Sequence, residues 1–581
     1  MQRETRIENL IARMSLEQKI GQCVVVGMSG TVITNDLREA ITRYHCSGIR
    51  HSGFTRMFKY FSDEKARKQE LGSDFAPSMA KIAGTGLPPY LTPEQYAEML
   101  NELRCLATRR DPPIPLHMII DQEGDASKDF ARGGVVQFPS NMGLAAGNDP
   151  EMAYQVAKCI ASQMKASGLD MIHSPVVDVN INPKNPEIAH RAFSDDPEIV
   201  AEYAIAMLKG FKENKVIAAA KHFPGRGDSA TDAHHACPVL NVDADRFNRI
   251  ELYPYKRLIE AGIDAIMVAH CLYPQIDPDN ISTVSRRVVT GILRDQLGFQ
   301  GLITTDSMTM GALIDRYGIG EACARALQAG ADIILMKAEN QWRGEMFYTI
   351  RKWVEDGRIN PEELDDKVRR ILQIKKDYGL FEDMGVVDAS KASVPFRDRV
   401  IVWTSKKAAE QAILVVRDEL GAIPLDKEKK ALLINQQNSI KTPNDSYDHP
   451  ALFSQLMEEA WPTLQTYETG FGFNEKEDAA VIQFVEANRY DLILCTNYYD
   501  RAEKPHTYAR TLIDKGYPVV LITNTPYCIG GIAGLIPEAR SVVLNLNLTP
   551  EGLRTTREVL LGRLKPKGQW PLSNYDPLKL R

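Results

Sequence analysis

Eight short β-rich runs, at residues 24–27, 47–51, 116–120, 170–174, 218–222, 265–270, 302–305 and 332–336, punctuate the first two-thirds of the chain, and helix-compatible sequence follows each one. Nothing else restricts the fold as much. Parallel strands cannot be joined by a tight turn, so a strand–helix–strand rhythm builds a parallel sheet with helices packed outside it. Eight units predict a (β/α)8 TIM-type barrel with long loops. A doubly wound sheet has the same alternation; the count of eight is what favours the barrel.

The rhythm stops near Tyr378-Gly379-Leu380-Phe381, and residues 382–400 are polar and turn-rich. A second series of β-rich runs follows at 412–416, 431–435, 492–496, 518–523 and 542–546. Since 581 residues exceed one ordinary core, the α/β chain is expected to divide into a barrel over 1–385, a linker over 386–400 and a smaller α/β sandwich domain over 401–581. The segment 54–100, partly basic and partly rich in Pro and Gly, reads as a long loop on the C-terminal face of the barrel. There it serves either to shape a site or as an assembly arm.

Charge and cysteine usage narrow the function classes. A net charge of −6 offers no basic footprint for nucleic acid and no polybasic membrane segment. The nine cysteines show no C-x-x-C spacing, which argues against a disulfide framework or a zinc site and for reduced, mostly buried thiols. The N-terminus leads into an amphipathic helix, and the early apolar run Cys23-Val24-Val25-Val26 is far too short to span a bilayer. A cytoplasmic protein, monomeric or homodimeric, with no membrane or nucleic-acid partner is expected.

Three strand ends gather the chemistry. After the run 218–222 comes Lys221-His222-Phe223-Pro224-Gly225-Arg226-Gly227-Asp228, then Asp232-Ala233-His234-His235. Three of the chain's 11 histidines lie in this one shaped loop. In Asp232-x-His234 a carboxylate can orient an imidazole and support its charged form. Asp306 follows the run 302–305 and reads equally as a helix N-cap or as a nucleophile or base. Asp121-Gln122-Glu123-Gly124 ends the third run. Acidic strand ends of this kind suit a polyol or sugar, whose hydroxyls they bind, and they also suit a divalent metal.

The order and content of these motifs resemble the bacterial family 3 β-N-acetylglucosaminidases (the NagZ-like enzymes). The resemblance rests on Lys221-His222-Phe223-Pro224-Gly225-x-Gly227-Asp228 with Asp232-x-His234, on Asp121-Gln122-Glu123-Gly124, on Ser174-Pro175-Val176-Val177-Asp178, on Arg191-x-Phe193-Ser194 and on 301–306. It implies a retaining glycoside hydrolase that removes terminal N-acetylhexosamine from soluble oligosaccharides or peptidoglycan fragments through a covalent glycosyl-enzyme. By the same resemblance Asp306 maps onto the nucleophile, and His234, held by Asp232, onto the acid/base. Asp121, Arg191, Lys221 and His222 map onto residues that hold the sugar, a carbohydrate being the only partner and no metal or organic cofactor being needed. An imidazole with an ordinary pKa of about 6.5 can donate and then accept a proton near neutrality. The alternatives are a phosphorylase or β-glycosidase of the same family with altered sugar specificity and, in another class, a sugar-binding protein with a relict site.

The sequence departs from the pattern twice. Where D-Q-E-G-G-R is expected, Asp125 and Ala126 follow Gly124, and the next expected arginine position holds Asp129. A substrate-binding cation is therefore expected from elsewhere, with Lys128, Arg132 or the 54–70 segment as candidates. Where P-G-H-G is expected, Arg226 replaces the histidine. Both changes are expected around the sugar pocket, altering specificity and leaving catalysis in place.

Overall fold

The computed structural model describes residues 2–29, 32–52, 91–125, 127–130, 133–233, 236–336, 343–436, 451–470, 472–499 and 504–576. β1 (Val24–Ser29), β2 (Gly48–Ser52), β3 (His117–Ile120), β4 (Met171–Ile172), β5 (Ile217–Phe223), β6 (Ala265–Val268), β7 (Leu302–Ser307) and β8 (Ile333–Met336) form a closed barrel in sequence order. β8 closes onto β1 in parallel, with Val24 opposite Ile334. This is the expected TIM-type barrel, and all eight β-rich runs contribute strands to it. The fourth is shorter than its run, since only Met171 and Ile172 pair with both neighbouring strands, although the N–H groups of Asp170 and His173 still donate to the Met118 and Ile120 carbonyls. The Asp170 carboxylate accepts from Arg104 at 2.6 Å, and His173 turns toward Asp121.

Helix starts follow local chemistry. Asp149, Asp196, Asn360 and Thr549 each cap a helix whose first residue is proline, pairing a side-chain acceptor with a residue that lacks the orphan N–H. The same device corrects the reading of 54–100 as one long loop. Thr92 and Gln95 form a reciprocal capping box, Pro93 takes the first position, and a helix runs over Pro93–Thr108. Residues 53–90 lie outside the described residues, as do Arg132 and His234.

A second, six-stranded sheet follows: β9 (Ile413–Asp418), β10 (Ala431–Gln436), β11 (Gln465–Thr469), β12 (Leu492–Thr496), β13 (Val519–Thr523) and β16 (Ser541–Asn545), with a small hairpin of β14 (Cys528–Ile529) and β15 (Ala533–Gly534). Its order is β11-β10-β12-β13-β16-β9, parallel except for β9 against β16. Apolar clusters cover both faces. The edge strand β11 was not expected. Its sequence, Gln-Thr-Tyr-Glu-Thr, is polar and largely outside the core.

The second sheet and its loops sit on the barrel through polar contacts that involve the barrel's loops. Asp195 accepts from the backbone N–H groups of Ser573, Asn574 and Tyr575 at 2.7, 2.9 and 2.9 Å. Ser140 and Ser194 donate to the carbonyls of Leu546 and Pro571 at 3.0 and 2.8 Å, and Tyr499 donates to Pro186. All nine cysteines are free thiols, most of them buried and Cys105 exposed on its helix. Among the described residues no helix is long and apolar enough to cross a membrane.

Candidate active site

The C-terminal ends of the barrel strands meet at a cavity lined chiefly by charged side chains: Arg50, Asp121, Glu123, Arg191, Lys221, His222, Arg226 and Asp306, with His173, Ser127, Met267 and Leu335. Five residues singled out from the sequence, Asp121, Arg191, Lys221, His222 and Asp306, are therefore brought together. Asp232 is half-buried beyond this lining. The backbone N–H of its neighbour Ala233 donates to Glu187 at 3.2 Å, which joins that loop to the cavity wall.

The acidic end of β3 is matched by cations. Asp121 is paired with Arg50, lies 3.0 Å from His173 Nδ1 and 3.3 Å from Lys221 Nζ. Burial opposes ionisation of Asp121, but Arg50 and Lys221 overcome it and hold the carboxyl well below the usual range. Glu123 takes two parallel bonds from Arg191, at 2.8 and 2.9 Å, and an ion pair from Lys221 at 2.6 Å. Burial raises its pKa; Arg191 and Lys221 outweigh that and bring it to about 2. These pairs pre-orient three cationic donors, Arg50, Lys221 and Arg191, and two carboxylate acceptors, the inventory that sugar hydroxyls need.

His222 Nδ1 lies 2.7 Å from Asp178 Oδ2. Burial, then the Arg226 and Arg191 charges, push the imidazole well below its ordinary pKa, so the ring is neutral. Burial raises Asp178 to about 6. With Nδ1–H donating to Asp178, His222 Nε2 remains an acceptor. Asp178 orients this ring and also accepts the Arg226 N–H at 2.8 Å. His270 is fully buried between Thr283 Oγ1 at 2.6 Å and the Ser307 carbonyl at 2.9 Å.

Asp306 lies within β7, and the following helix, Gly311–Tyr317, is capped at Met310. The helix-cap reading of Asp306 is thereby removed. Its Oδ1 accepts the Ser307 N–H at 2.7 Å, and its Oδ2 faces Arg226 Nη1 at 3.5 Å. Each carboxylate lining the cavity faces a guanidinium or ammonium group. The donor set that a divalent ion would need is thus already occupied by fixed cations, and no cluster of three or more metal-ligating side chains occurs among the described residues.

Two sequence expectations are corrected. Lys128 does not replace the missing cation: its ammonium is fully buried 2.7 Å from Asp125 Oδ1 and lines no part of the cavity. Asp125 likewise does not shape the pocket, since its Oδ2 accepts the N–H of Leu548 at 2.5 Å, in the chain just past β16. That departure docks the second sheet. Among the described residues the cations beside Asp121 are Lys221 and Arg50 in β2, and Arg50 also lies 2.7 Å from Asp129, the acid at the expected arginine position. Sequence reasoning missed Arg50. An arginine inside an otherwise buried strand requires a counter-charge, and that was the available signal.

Residues 15–374 match the model of the glycosyl hydrolase family 3 N terminal domain. Among curated proteins, a β-hexosaminidase A of Pseudoalteromonas piscicida is 31% identical over 302 residues, covering 48% of this chain and 50% of that protein, so the match spans only half of that relative. A β-N-acetylglucosaminidase/β-glucosidase of Cellulomonas fimi is 26% identical over 512 residues, 84% of this chain and 87% of that one. Among solved structures, a glycoside hydrolase family 3 β-N-acetylglucosaminidase from Paenibacillus sp. str. FPU-7 superposes with a TM-score of 0.81 at 28% identity, covering 97% of this chain and 99% of that one.

Proposed function

This chain belongs to glycosyl hydrolase family 3, and from that premise we propose that it is a retaining, exo-acting β-N-acetylhexosaminidase that removes terminal N-acetylglucosamine from soluble oligosaccharides or peptidoglycan fragments. The observation that carries this reading is the position of Asp306, at the end of β7 in one cavity with Asp121, Glu123, Arg191, Lys221 and His222. Its specificity for N-acetylhexosamine is supported by the Cellulomonas and Paenibacillus relatives, which match over most of their length. A cytoplasmic setting belongs to the same proposal and is supported by the nine unpaired thiols.

In the first step an Asp306 oxygen attacks the anomeric carbon while His234, oriented by Asp232, gives a proton to the departing glycosidic oxygen. In the second, water displaces Asp306 as His234 takes the proton back. The paired charges around Asp121 and Glu123 hold the sugar hydroxyls throughout. The test is a panel of aryl β-glycosides assayed with and without phosphate, alongside labelling by a 5-fluoro-N-acetylglucosaminyl fluoride. N-acetylglucosaminide is expected to be the best substrate, free sugar the product, and Asp306 the labelled residue. Asp306→Ala should retain the fold and lose turnover. A label on another residue, or a sugar phosphate as the main product, would refute the reading.

A further inference from the structure

The loop after β5 has one side chain whose partners connect two parts of the site that are distant in sequence. Its backbone is tightly constrained. Gly225 has φ +135°, and a Cβ on Gly227 would lie 1.8 Å from the Val179 carbonyl oxygen, so neither position accepts an ordinary residue without strain. Between them, Arg226 donates its N–H to Asp178 at 2.8 Å and accepts at its carbonyl from Asn185 Nδ2 at 2.8 Å. The side chain is 2% exposed. Nη2 reaches Glu187 Oε1 at 3.0 Å and Nη1 faces Asp306 Oδ2 at 3.5 Å. Glu187 is equally fixed. Its N–H donates to Asn185 Oδ1 at 2.9 Å, and its second carboxylate oxygen accepts the N–H of Ala233, the residue after Asp232, at 3.2 Å.

We propose that Arg226 and Glu187 are positioning residues, with Arg226 orienting the Asp306 carboxylate for attack and favouring its ionised form, and Glu187 holding Arg226 in place while tying it to the backbone beside Asp232. The inference rests on Asp306 being the nucleophile. A guanidinium at this distance favours the charged form of a carboxylate and fixes which oxygen faces the substrate. Esterification of Asp306 removes one of the acidic partners of Arg226, which are Glu187, Asp306 and Asp178. Glu187 stays in ion-pair contact at 3.0 Å, so the glycosyl-enzyme does not strand a buried cation, which would be costly. Arg50 also feels the Asp306 charge, but Asp121 and Asp129 hold it. Of the two, Arg226 is the cation in ion-pair contact with Asp306. The arginine that replaces the family pattern's histidine therefore acts on the reacting carboxylate and is supported by an acid that also lies 4.0 Å from Arg191.

The experiment uses the full chain carrying R226Q, R226K or E187Q. It follows the rate of covalent labelling by the 5-fluoro sugar fluoride against pH, using intact mass, together with kcat and KM on an aryl N-acetylglucosaminide. R226Q should slow labelling and kcat by about 100-fold, change KM little, and move the acid limb of the labelling rate up by about one pH unit. R226K should recover part of the rate and return the acid limb. E187Q, which keeps an acceptor for Ala233, should fall between them. An unchanged acid limb and labelling rate in R226Q, or equal losses in R226Q and R226K with no shift of the limb, would overturn the proposal. If the unaltered protein is not labelled at Asp306, the nucleophile reading fails, and the positioning role fails with it.

Discussion

Replacing Glu123 by Gln tests how the cavity holds its charges. Glu123 is 1% exposed and faces Arg191 and Lys221, and in the folded state its pKa is lowered from 4.5 to about 2. At about 1.4 kcal/mol per pKa unit, that drop is worth about 3 kcal/mol. Loss of one partner from a buried pair gives an independent figure of about 3–5 kcal/mol, and the two agree. The sign follows from the direction of the shift. Because the folded pKa is depressed, the stabilisation is fully present above the ordinary carboxylate range and is lost as pH falls toward about 2. By pH 3, about 2 kcal/mol of it should have gone. Glutamine does not titrate. Urea unfolding of both proteins, followed by circular dichroism, should therefore give a stability difference of about 3 kcal/mol at pH 7, shrinking to about 1 kcal/mol at pH 3. A difference that stays the same at both pH values would refute the electrostatic account, leaving loss of shape or hydrogen bonding as the cause.

His234→Ala should cripple substrates with poor leaving groups and largely spare glycosylation by nitrophenyl glycosides, with azide rescuing the second step as a β-glycosyl azide; uniform loss across leaving groups would remove His234 from the acid/base role. Asp125→Ala should cost about 3 kcal/mol by stranding the buried Lys128 ammonium. It should also expose the segment after β16 to protease while kcat on a small aryl glycoside stays within about three-fold. A stable variant with reduced kcat would instead return Asp125 to the sugar pocket.

The barrel was legible because strands buried on both faces read as continuous apolar runs, as Ala265 to Val268 and Ile333 to Met336 do. The edge strand β11 was not, since one exposed polar stretch looks like a loop until its partner is known. Within the site, strand-end position picked out Asp121, Lys221, His222 and Asp306. Arg226 stood out as a departure from the pattern, yet its partner Glu187 did not, because nothing local marks an acid that is needed by a residue 39 positions later (226 − 187). The Asp125–Leu548 bond spans 423 residues and carries no local trace at all. Contacts of that kind are set by how the two sheets dock, which no periodicity encodes.

Arg50 has one more consequence. It sits in β2 opposite Gly27 of β1 and Ile119 of β3, so ladder pairing on both sides fixes its height in the barrel. A cation carried by a connecting loop shifts whenever that loop gains or loses residues. Here the charge beside Asp121 is rooted upstream of the segment 53–90. The Arg50 charge is held beside Asp121 by two strand ladders at once, so its position does not depend on the length of any connecting loop.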